Sequence, residues 1–422
     1  MVERRIPISV KEAVQKVMSF ANVGTTEQIS IDESYGRFLG DELKADHDVP
    51  HFDRSPYDGF AIRAIDSAQA SQYEPVQFEI IEEIGAGDVP SKPVRSFQAI
   101  RIMTGAQMPP ECDAVVMLEL TKQFEKDGKK YMSIKRPFKS GDNVSFQGED
   151  TKKGSILVEK GTYINPGVKA LLATFGVHQV TVGKKPIVGV FATGSELLDV
   201  EEDLAPGKIR NSNSHMICAQ IERSEAAANY LGKLPDDFNL CFKAIQNALE
   251  DVDLLITTGG VSVGDFDYLP AIYEKLGAEV LFNKIAMRPG SVTTVAQYNG
   301  KLLFGLSGNP SACYVGYELF VRPVVRTFLH SSNSHLQKVQ ATLDADFPKP
   351  NPFTRFVRSK LSYREGKLLV APSGFNKSNA VTSLAGANAL MILPGGTRGF
   401  EKGMAVEVLL LEDQEGSRVT WD

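Results

Sequence analysis

From Lys185 to Phe328 the sequence repeats one pattern, a short β-rich run, a loop and a helical run, and this alternation constrains the fold more than any other feature. It predicts strands at Ile187 to Ala192, Ala226 to Leu234, Asp253 to Thr258 and Glu279 to Phe282. Helices are predicted near Ser214 to Glu222, Phe238 to Glu250 and Tyr268 to Leu276. Two further runs, Ser291 to Gln297 and Leu302 to Leu306, precede a helix from about Pro310 to Phe328. Strands that alternate with helices of this length form a mostly parallel sheet covered on both faces.

The flanking segments read differently. Ser9 and Glu12 have capping-box spacing, and Ala13, Val14, Val17, Met18 and Ala21 repeat at helical period, so an amphipathic helix opens the chain and needs a partner surface. From Glu27 to about Lys139 short β-rich runs separated by Gly, Pro and Asp imply a small β domain. Ser155 to Val158 comes next as a β segment. A helix capped by Asn165, with Pro166 at its first position, then stops at Gly176. This stretch is expected to return to the N-terminal helix and make a discontinuous domain. His330 to His335 reads as a polar linker, and Val339 to Val419 as a second all-β domain. The expected division is 1–45 with 141–182, then 46–140, 183–330 and 336–422.

At 422 residues several domains are expected, and 42% hydrophobic with 23% charged residues describes a globular chain. A net charge of −6 gives no general attraction to nucleic acid or to an anionic membrane. Any anionic ligand must therefore be held locally. Cys112, Cys218, Cys241 and Cys313 contain no CxxC pair, which fits buried thiols in a reducing compartment. No stretch approaches the roughly 18 apolar residues of a membrane span, so a cytosolic location is the expectation.

In open α/β sheets ligands bind outside the carboxyl ends of the strands. The loops that leave the predicted strands are therefore the informative segments. They are Thr193-Gly194-Ser195-Glu196, Pro235-Asp236-Asp237, Gly259-Gly260-Val261-Ser262-Val263-Gly264-Asp265-Phe266-Asp267 and Ser307-Gly308-Asn309-Pro310. Glycines let consecutive N–H groups turn toward an anion, of which phosphate is the commonest. Carboxylates such as Glu196, Asp236 and Asp267 beside a phosphate would repel it unless a divalent cation lay between them. A Mg²⁺-bound nucleotide or pyrophosphate site is the reading. One Gly-rich loop would be an ordinary strand-to-helix connection; four at one sheet edge favour a site. Lys284 and Arg288 flank the next strand end before Pro289-Gly290 and could hold an oxyanion, although isolated cations are usually solvated. Asp58 and Asp150 lie in turn-like strings. The six histidines have no metal-ligand spacing, and no Walker lysine motif, GxGxxG or HExxH is present.

Six strings then resemble the successive signatures of the MoeA and gephyrin E-domain family. They are Phe52-Asp53-Arg54-Ser55-Pro56-Tyr57-Asp58-Gly59-Phe60-Ala61, Arg101-Ile102-Met103-Thr104-Gly105-Ala106, Gly148-Glu149-Asp150, Thr193-Gly194-Ser195-Glu196-Leu197, Thr258-Gly259-Gly260-Val261-Ser262-Val263-Gly264 and Gly308-Asn309-Pro310. They occur in order across almost the whole chain, so the match is specific.

The resemblance implies a homodimer with an elongated, discontinuous helical dimer domain, an inserted β domain, a nucleotide-handling α/β domain related to MogA and a C-terminal β-barrel. It implies a molybdopterin molybdenumtransferase, which takes molybdate and adenylylated molybdopterin and releases AMP with Mg²⁺. It also implies contact with the upstream adenylyltransferase. Glu196, Asp236 and Asp267 would hold the metal, with Asp58, brought in from the second subunit, and Asp150 holding it or its waters. Thr193, Gly194, Ser195, Gly259, Gly260, Ser262, Gly264, Ser307 and Asn309 would bind substrate. Lys284, Arg288, Pro289 and Ser378, with Arg358 or Arg355, would complete an oxyanion pocket.

Several positions depart from the family pattern. Arg288 stands where lysine is common, Ser291 replaces a lysine, and Ser145 and Gln147 fall where arginines often precede Gly-Glu-Asp. Ser307 and Ser311-Ala312 alter the usual Leu-Pro-Gly-Asn-Pro-Val-Ser. The pocket has lost cations, but all five carboxylates remain. The alternatives are a molybdopterin adenylyltransferase, for which the Asp58 and Asp150 segments and the barrel would be surplus, and a non-catalytic dimeric scaffold. Tungstate in place of molybdate is indistinguishable by residue type.

Overall fold

The computed structural model describes residues 6–260, 268–348, 350–412 and 416–420. The chain divides into two compact units, Glu42–Val158 and Met1–Asp41 with Glu159–Asp422.

The larger unit contains the α/β layer. Its elements are β1 (Ile187–Thr193), α1 (Ser212–Arg223), β2 (Ala227–Leu234), α2 (Phe238–Asp251), β3 (Leu254–Thr258), α3 (Leu269–Leu276), β4 (Glu279–Phe282), β5 (Thr294–Tyr298), β6 (Lys301–Leu306), α4 (Pro310–Gly316) and α5 (Arg322–Phe328). The sheet order is β2-β1-β3-β6-β5-β4, parallel from β2 to β6 and antiparallel across the last two pairings. All five residues of β3 are buried, as a central parallel strand covered on both faces requires. The helices start where the sequence supplies caps. The Asn211 side chain accepts from Ser214 N at 3.2 Å and the Asp237 side chain from Leu240 N at 2.8 Å. The chain steps outward from β1 to β2 and then returns to β3 on the other side of β1, which opens a crevice above β1 and β3.

Two local features differ from the sequence expectation. The antiparallel pair β5/β6 is closed by Asn299 and Gly300, both left-handed, a two-residue hairpin whose Asn-Gly signal is present in the sequence. The expected single helix from Pro310 to Phe328 is instead α4, a π-helical stretch Tyr317–Val321 and α5, within which Glu318 is fully buried.

The N-terminal helix, Val10–Met18, is capped by the Ser9 hydroxyl, which accepts from Glu12 N at 3.1 Å. It buries Val10, Ala13, Val14 and Val17 in the same core as Phe282, Phe320 and Val324, so its partner surface is the α/β layer. Thr26–Ser30 pairs antiparallel with Gln179–Gly183, and Asn165 caps the helix Pro166–Thr174. The stretch expected to be a linker is packed: His335 and Ser331 are buried, and Ser332 N donates to Gly161 O at 3.0 Å.

Beyond it, β7 (Lys338–Leu343), β8 (Thr354–Arg364), β9 (Lys367–Pro372), β10 (Ala389–Leu393) and β11 (Ala405–Leu410) close into a barrel in the order β8-β9-β7-β11-β10 and back to β8. Leu343, Val357, Val370, Met391 and Val408 fill it. Met287–Arg288 adds alongside the start of β8 and so joins the α/β layer to the barrel.

The smaller unit is a six-stranded sheet in the order Ala114–Met117, Gly59–Ile62, Gln98–Ile102, Val76–Ile84, Lys129–Ile134 and Thr121–Lys126. Directly after Asp58, Gly59–Ile62 is a fully buried central strand that the sequence does not single out. Gly59 packs so closely that a Cβ would overlap the Val116 carbonyl. Among the described residues no helix is long and apolar enough to cross a membrane.

Candidate functional site

The carboxyl ends of β1, β2, β3 and β6 open into a cleft of about 1220 Å³. One wall is made by the loops that leave these strands. Thr193 Oγ1 donates to Thr258 O at 3.1 Å and ties the first loop to the third, while Gly259 N donates to Leu306 O at 2.9 Å and ties the third to the fourth. Gly259 and Gly260 are consecutive left-handed residues, and a Cβ on Gly259 would lie 2.6 Å from Thr193 Oγ1. Only glycine allows this approach. The Glu196 side chain folds back over Gly194, where a Cβ would overlap its carboxylate. In the loop after β2 the two aspartates divide their roles: Asp237 caps α2, whereas Asp236 lines the cleft. Ser307, Gly308 and Asn309 complete this wall, with Asn213 Nδ2 donating to Gly308 O at 2.8 Å.

The rest of the lining includes cations. Arg288, Arg355, Arg358 and Lys377 all line the cleft. Arg355 is oriented by Nε donating to Asn351 Oδ1 at 2.7 Å and by the Phe347 ring, 5.6 Å from its Cζ. Burial lowers the pKa of Arg355, and the neighbouring Arg288 lowers it further. Arg358 is 1% exposed and donates from Nε to Ser383 Oγ at 3.0 Å and from Nη2 to Lys377 O at 3.2 Å. Burial pushes its pKa down to about 10, which still leaves it charged near neutrality. Among the described residues no carboxylate forms an ion pair with any of these four cations. The cleft thus combines acidic, glycine-rich loops with unpaired cations, an arrangement suited to a ligand that carries both a phosphate-bound cation and a separate oxyanion.

Comparison with known proteins identifies the plan. Family models match three successive stretches: the MoeA N-terminal region (domain I and II) over residues 8–176, a probable molybdopterin binding domain over 189–327 and the MoeA C-terminal region (domain IV) over 340–411. The molybdopterin molybdenumtransferase of Bacillus subtilis (strain 168) is 59% identical over 421 residues, covering 100% of this chain and 98% of that protein. The chain belongs to the MoeA family. A second relative, the molybdopterin molybdenumtransferase of Staphylococcus epidermidis RP62A, is 51% identical over 411 residues, 97% of each chain. The solved structure of the molybdopterin biosynthesis MoeA protein from Pyrococcus horikoshii OT3 superposes with a TM-score of 0.82 at 30% identity, covering 96% of this chain and 100% of that one. Membership of the MoeA family makes the chain an enzyme of the transferase class.

Of the residues expected from the MoeA signatures, Thr193, Gly194, Ser195, Glu196, Asp236, Gly259, Gly260, Arg288, Pro289, Ser307, Asn309, Arg358 and Ser378 line this one cleft. Lys284 does not line it; its carbonyl instead accepts from Ile8 N at 3.1 Å. Ser262, Gly264 and Asp267 lie outside the described residues. Arg355, expected only as an alternative to Arg358, lines the cleft as well. Sequence reasoning misses Lys377, because nothing local marks a lysine in a loop of the second β domain.

Asp58 and Asp150 lie in the smaller unit. Asp58 Oδ1 accepts from Thr104 N at 2.8 Å and from Thr104 Oγ1 at 3.0 Å, and these bonds, the backbone one first, hold its carboxyl below the usual value of 3.8. Asp150 is exposed after the left-handed Gly148. Ser145 and Gln147 are engaged locally: Ser145 Oγ donates to Glu149 Oε1 at 2.7 Å and Gln147 Nε2 to Asp48 Oδ2 at 3.1 Å.

Among the described residues no group of three His, Cys, Asp or Glu side chains could hold a metal by itself. Glu196 and Asp236 on one cleft wall nonetheless fit magnesium, which is commonly held by one or two carboxylates, waters and the substrate's own phosphates.

Proposed function

We propose that the chain is a molybdopterin molybdenumtransferase of molybdenum-cofactor biosynthesis, which takes molybdate and adenylylated molybdopterin, breaks the phosphoanhydride and releases AMP. The observation that carries this reading is the presence, in the lining of one cleft, of Glu196 and Asp236 from the sheet-edge loops together with Arg288, Arg355 and Arg358. The glycine loops, with Gly259 and Gly260 turned into left-handed backbone, receive the diphosphate. Glu196 and Asp236 orient a cation or its waters there. Magnesium bound with the substrate would neutralise the diphosphate and polarise the scissile phosphorus. Arg288, Arg358 and Ser378 hold the molybdate, and the burial of Arg358 strengthens each hydrogen bond it donates. Asp267, Ser262 and Gly264 belong to the same proposal; Lys284, which does not line the cleft, does not.

The active form proposed is a homodimer, in which Asp58 and Asp150 reach this cleft from a second copy. Contact with the adenylyltransferase that supplies the substrate belongs to the same reading. Mixed Asp58→Ala and Asp236→Ala variants should then recover part of the activity that each lacks alone. No recovery after confirmed subunit exchange would remove the shared site.

The decisive assay for the reaction class supplies molybdate, Mg²⁺ and adenylylated molybdopterin and tracks molybdenum onto the dithiolene. Adenylylation of free molybdopterin from ATP in its place would make the chain an adenylyltransferase. Neither activity would leave the scaffold reading.

A further inference from the structure

The loop that brings Ser378 to the cleft belongs to the barrel, yet part of its position is set from the α/β layer. Ser311, the second residue of α4, is fully buried. Its N–H donates to Ser378 O at 3.0 Å and its hydroxyl donates to Ala380 O at 2.6 Å. From within the barrel, Arg358 donates to Lys377 O and to Ser383 Oγ. The loop is therefore held between a helix start on one side and a buried guanidinium on the other. Lys377, Ser378 and Asn379 line the cleft between those ties.

The two bonds from Ser311 are not equivalent. Its N–H is one of the donors that every helix start leaves without an intrahelical partner, and almost any residue would supply it. The second bond exists only because the side chain carries a hydroxyl. Ala380 is itself buried, so loss of that donor would take the hydroxyl partner from a buried residue's carbonyl.

We infer that Ser311 is a positioning residue for the oxyanion end of the cleft: it touches no substrate, but it fixes the barrel loop so that Ser378 and Lys377 face the ligand. The inference rests on the reading of that end as the molybdate site. Its physical basis is that a binding group must be held to a fraction of an ångström by neighbours that are themselves fixed. Ser311 thereby makes the geometry of a barrel loop depend on the helix that leaves the fourth cleft loop.

The test uses full-length Ser311→Ala and Ser311→Thr proteins beside wild type. Three quantities are measured: molybdate uptake by equilibrium dialysis, AMP binding by calorimetry, and amide exchange of residues 375–383. Ser311→Ala should bind molybdate about tenfold more weakly, the size expected for one unpaired buried acceptor. It should keep wild-type AMP affinity and exchange faster in 375–383 while strands β8 and β10 are unchanged. Ser311→Thr, which keeps the hydroxyl, should restore molybdate binding. Wild-type molybdate affinity in Ser311→Ala, equal losses for molybdate and AMP, or unchanged exchange in the loop would each overturn the inference. If the wild-type chain takes up no molybdate, the functional reading fails first and the inference with it. That result is distinct from a loss confined to the variant.

Discussion

Arg288 and Arg355 are register partners where the Met287–Arg288 segment runs parallel to the start of β8, so two guanidinium groups stand together on one wall of the cleft. Like charges on neighbouring strands repel, and among the described residues neither has a carboxylate partner. An anionic ligand would relieve that repulsion and gain hydrogen bonds from both. Arg355→Gln should therefore weaken molybdate binding roughly ten- to a hundredfold, the range for a lost charge-assisted hydrogen bond. The deficit should shrink as salt is raised, because added ions screen the remaining attraction. Dialysis at two ionic strengths checks both points, and an unchanged affinity would place the oxyanion elsewhere.

The Asp58 carboxyl titrates below its usual value because Thr104 donates to it twice. A depressed folded pKa favours the folded state above the unfolded value, and that contribution is lost as pH falls through the folded value. Thr104→Ala removes the hydroxyl but leaves the backbone donor. The Asp58 pKa should then rise toward 3.8 without reaching it, as a carboxyl-carbon NMR titration would register. No movement would mean that the hydroxyl contributes nothing.

Gly194 and Gly207 both have positive φ, but only Gly194 has a neighbour, the Glu196 carboxylate, where a Cβ would stand. Alanine at either position carries backbone strain of about 1–3 kcal/mol. Gly194→Ala must in addition displace Glu196. Its kcat/KM should fall well below that of Gly207→Ala at similar melting temperatures, and equal activities would show that the Glu196 position does not matter.

Glu318 is fully buried and forms an ion pair with Arg223, while Gln220 Nε2 donates to the same oxygen, Oε1, at 2.6 Å. Removing one partner of such a pair leaves a charge without compensation, at a cost of about 3–5 kcal/mol. Glu318→Ala should lower unfolding stability by roughly 3 kcal/mol, near the bottom of that range because Arg223 retains some solvent contact. Urea denaturation measures this, and a change under about 1 kcal/mol would be the behaviour of an exposed pair.

Much of the architecture can be read in the sequence where local pattern and tertiary role coincide. The alternation from Ile187 onward, the Ser9 and Asn165 caps and the glycines after β1 and β3 are each local signals, and the structure uses each locally. Gly59–Ile62 goes unrecognised in the sequence because four buried residues beginning with glycine carry no alternation; only strands some 40 and 55 positions away define them as a strand. Asn299-Gly300 does carry a hairpin signal between the two strands it joins.

The acid wall of the cleft is legible for the same reason that the sheet is, since loops at one edge of a parallel sheet converge. The cationic residues are legible only in part: Arg288 stands at a predicted strand end, and Arg358, with Arg355 as its alternative, enters only through the family resemblance. Arg355, Arg358 and Lys377 come from a different β domain, and nothing within a few residues of them indicates that β8 runs beside Arg288. The bonds from Ser311 to the Ser378 loop span 67 and 69 positions and depend entirely on how the barrel packs on α4.

The central claim, that acidic loops and arginines of one cleft act together on a diphosphate and an oxyanion, is tested most directly by AMP release from adenylylated molybdopterin. Purified protein should release AMP only when molybdate, or tungstate, and Mg²⁺ are both present, and Glu196→Gln and Arg358→Gln should each lower release to background. AMP release at full rate without the oxyanion, or unchanged release in either variant, would contradict it.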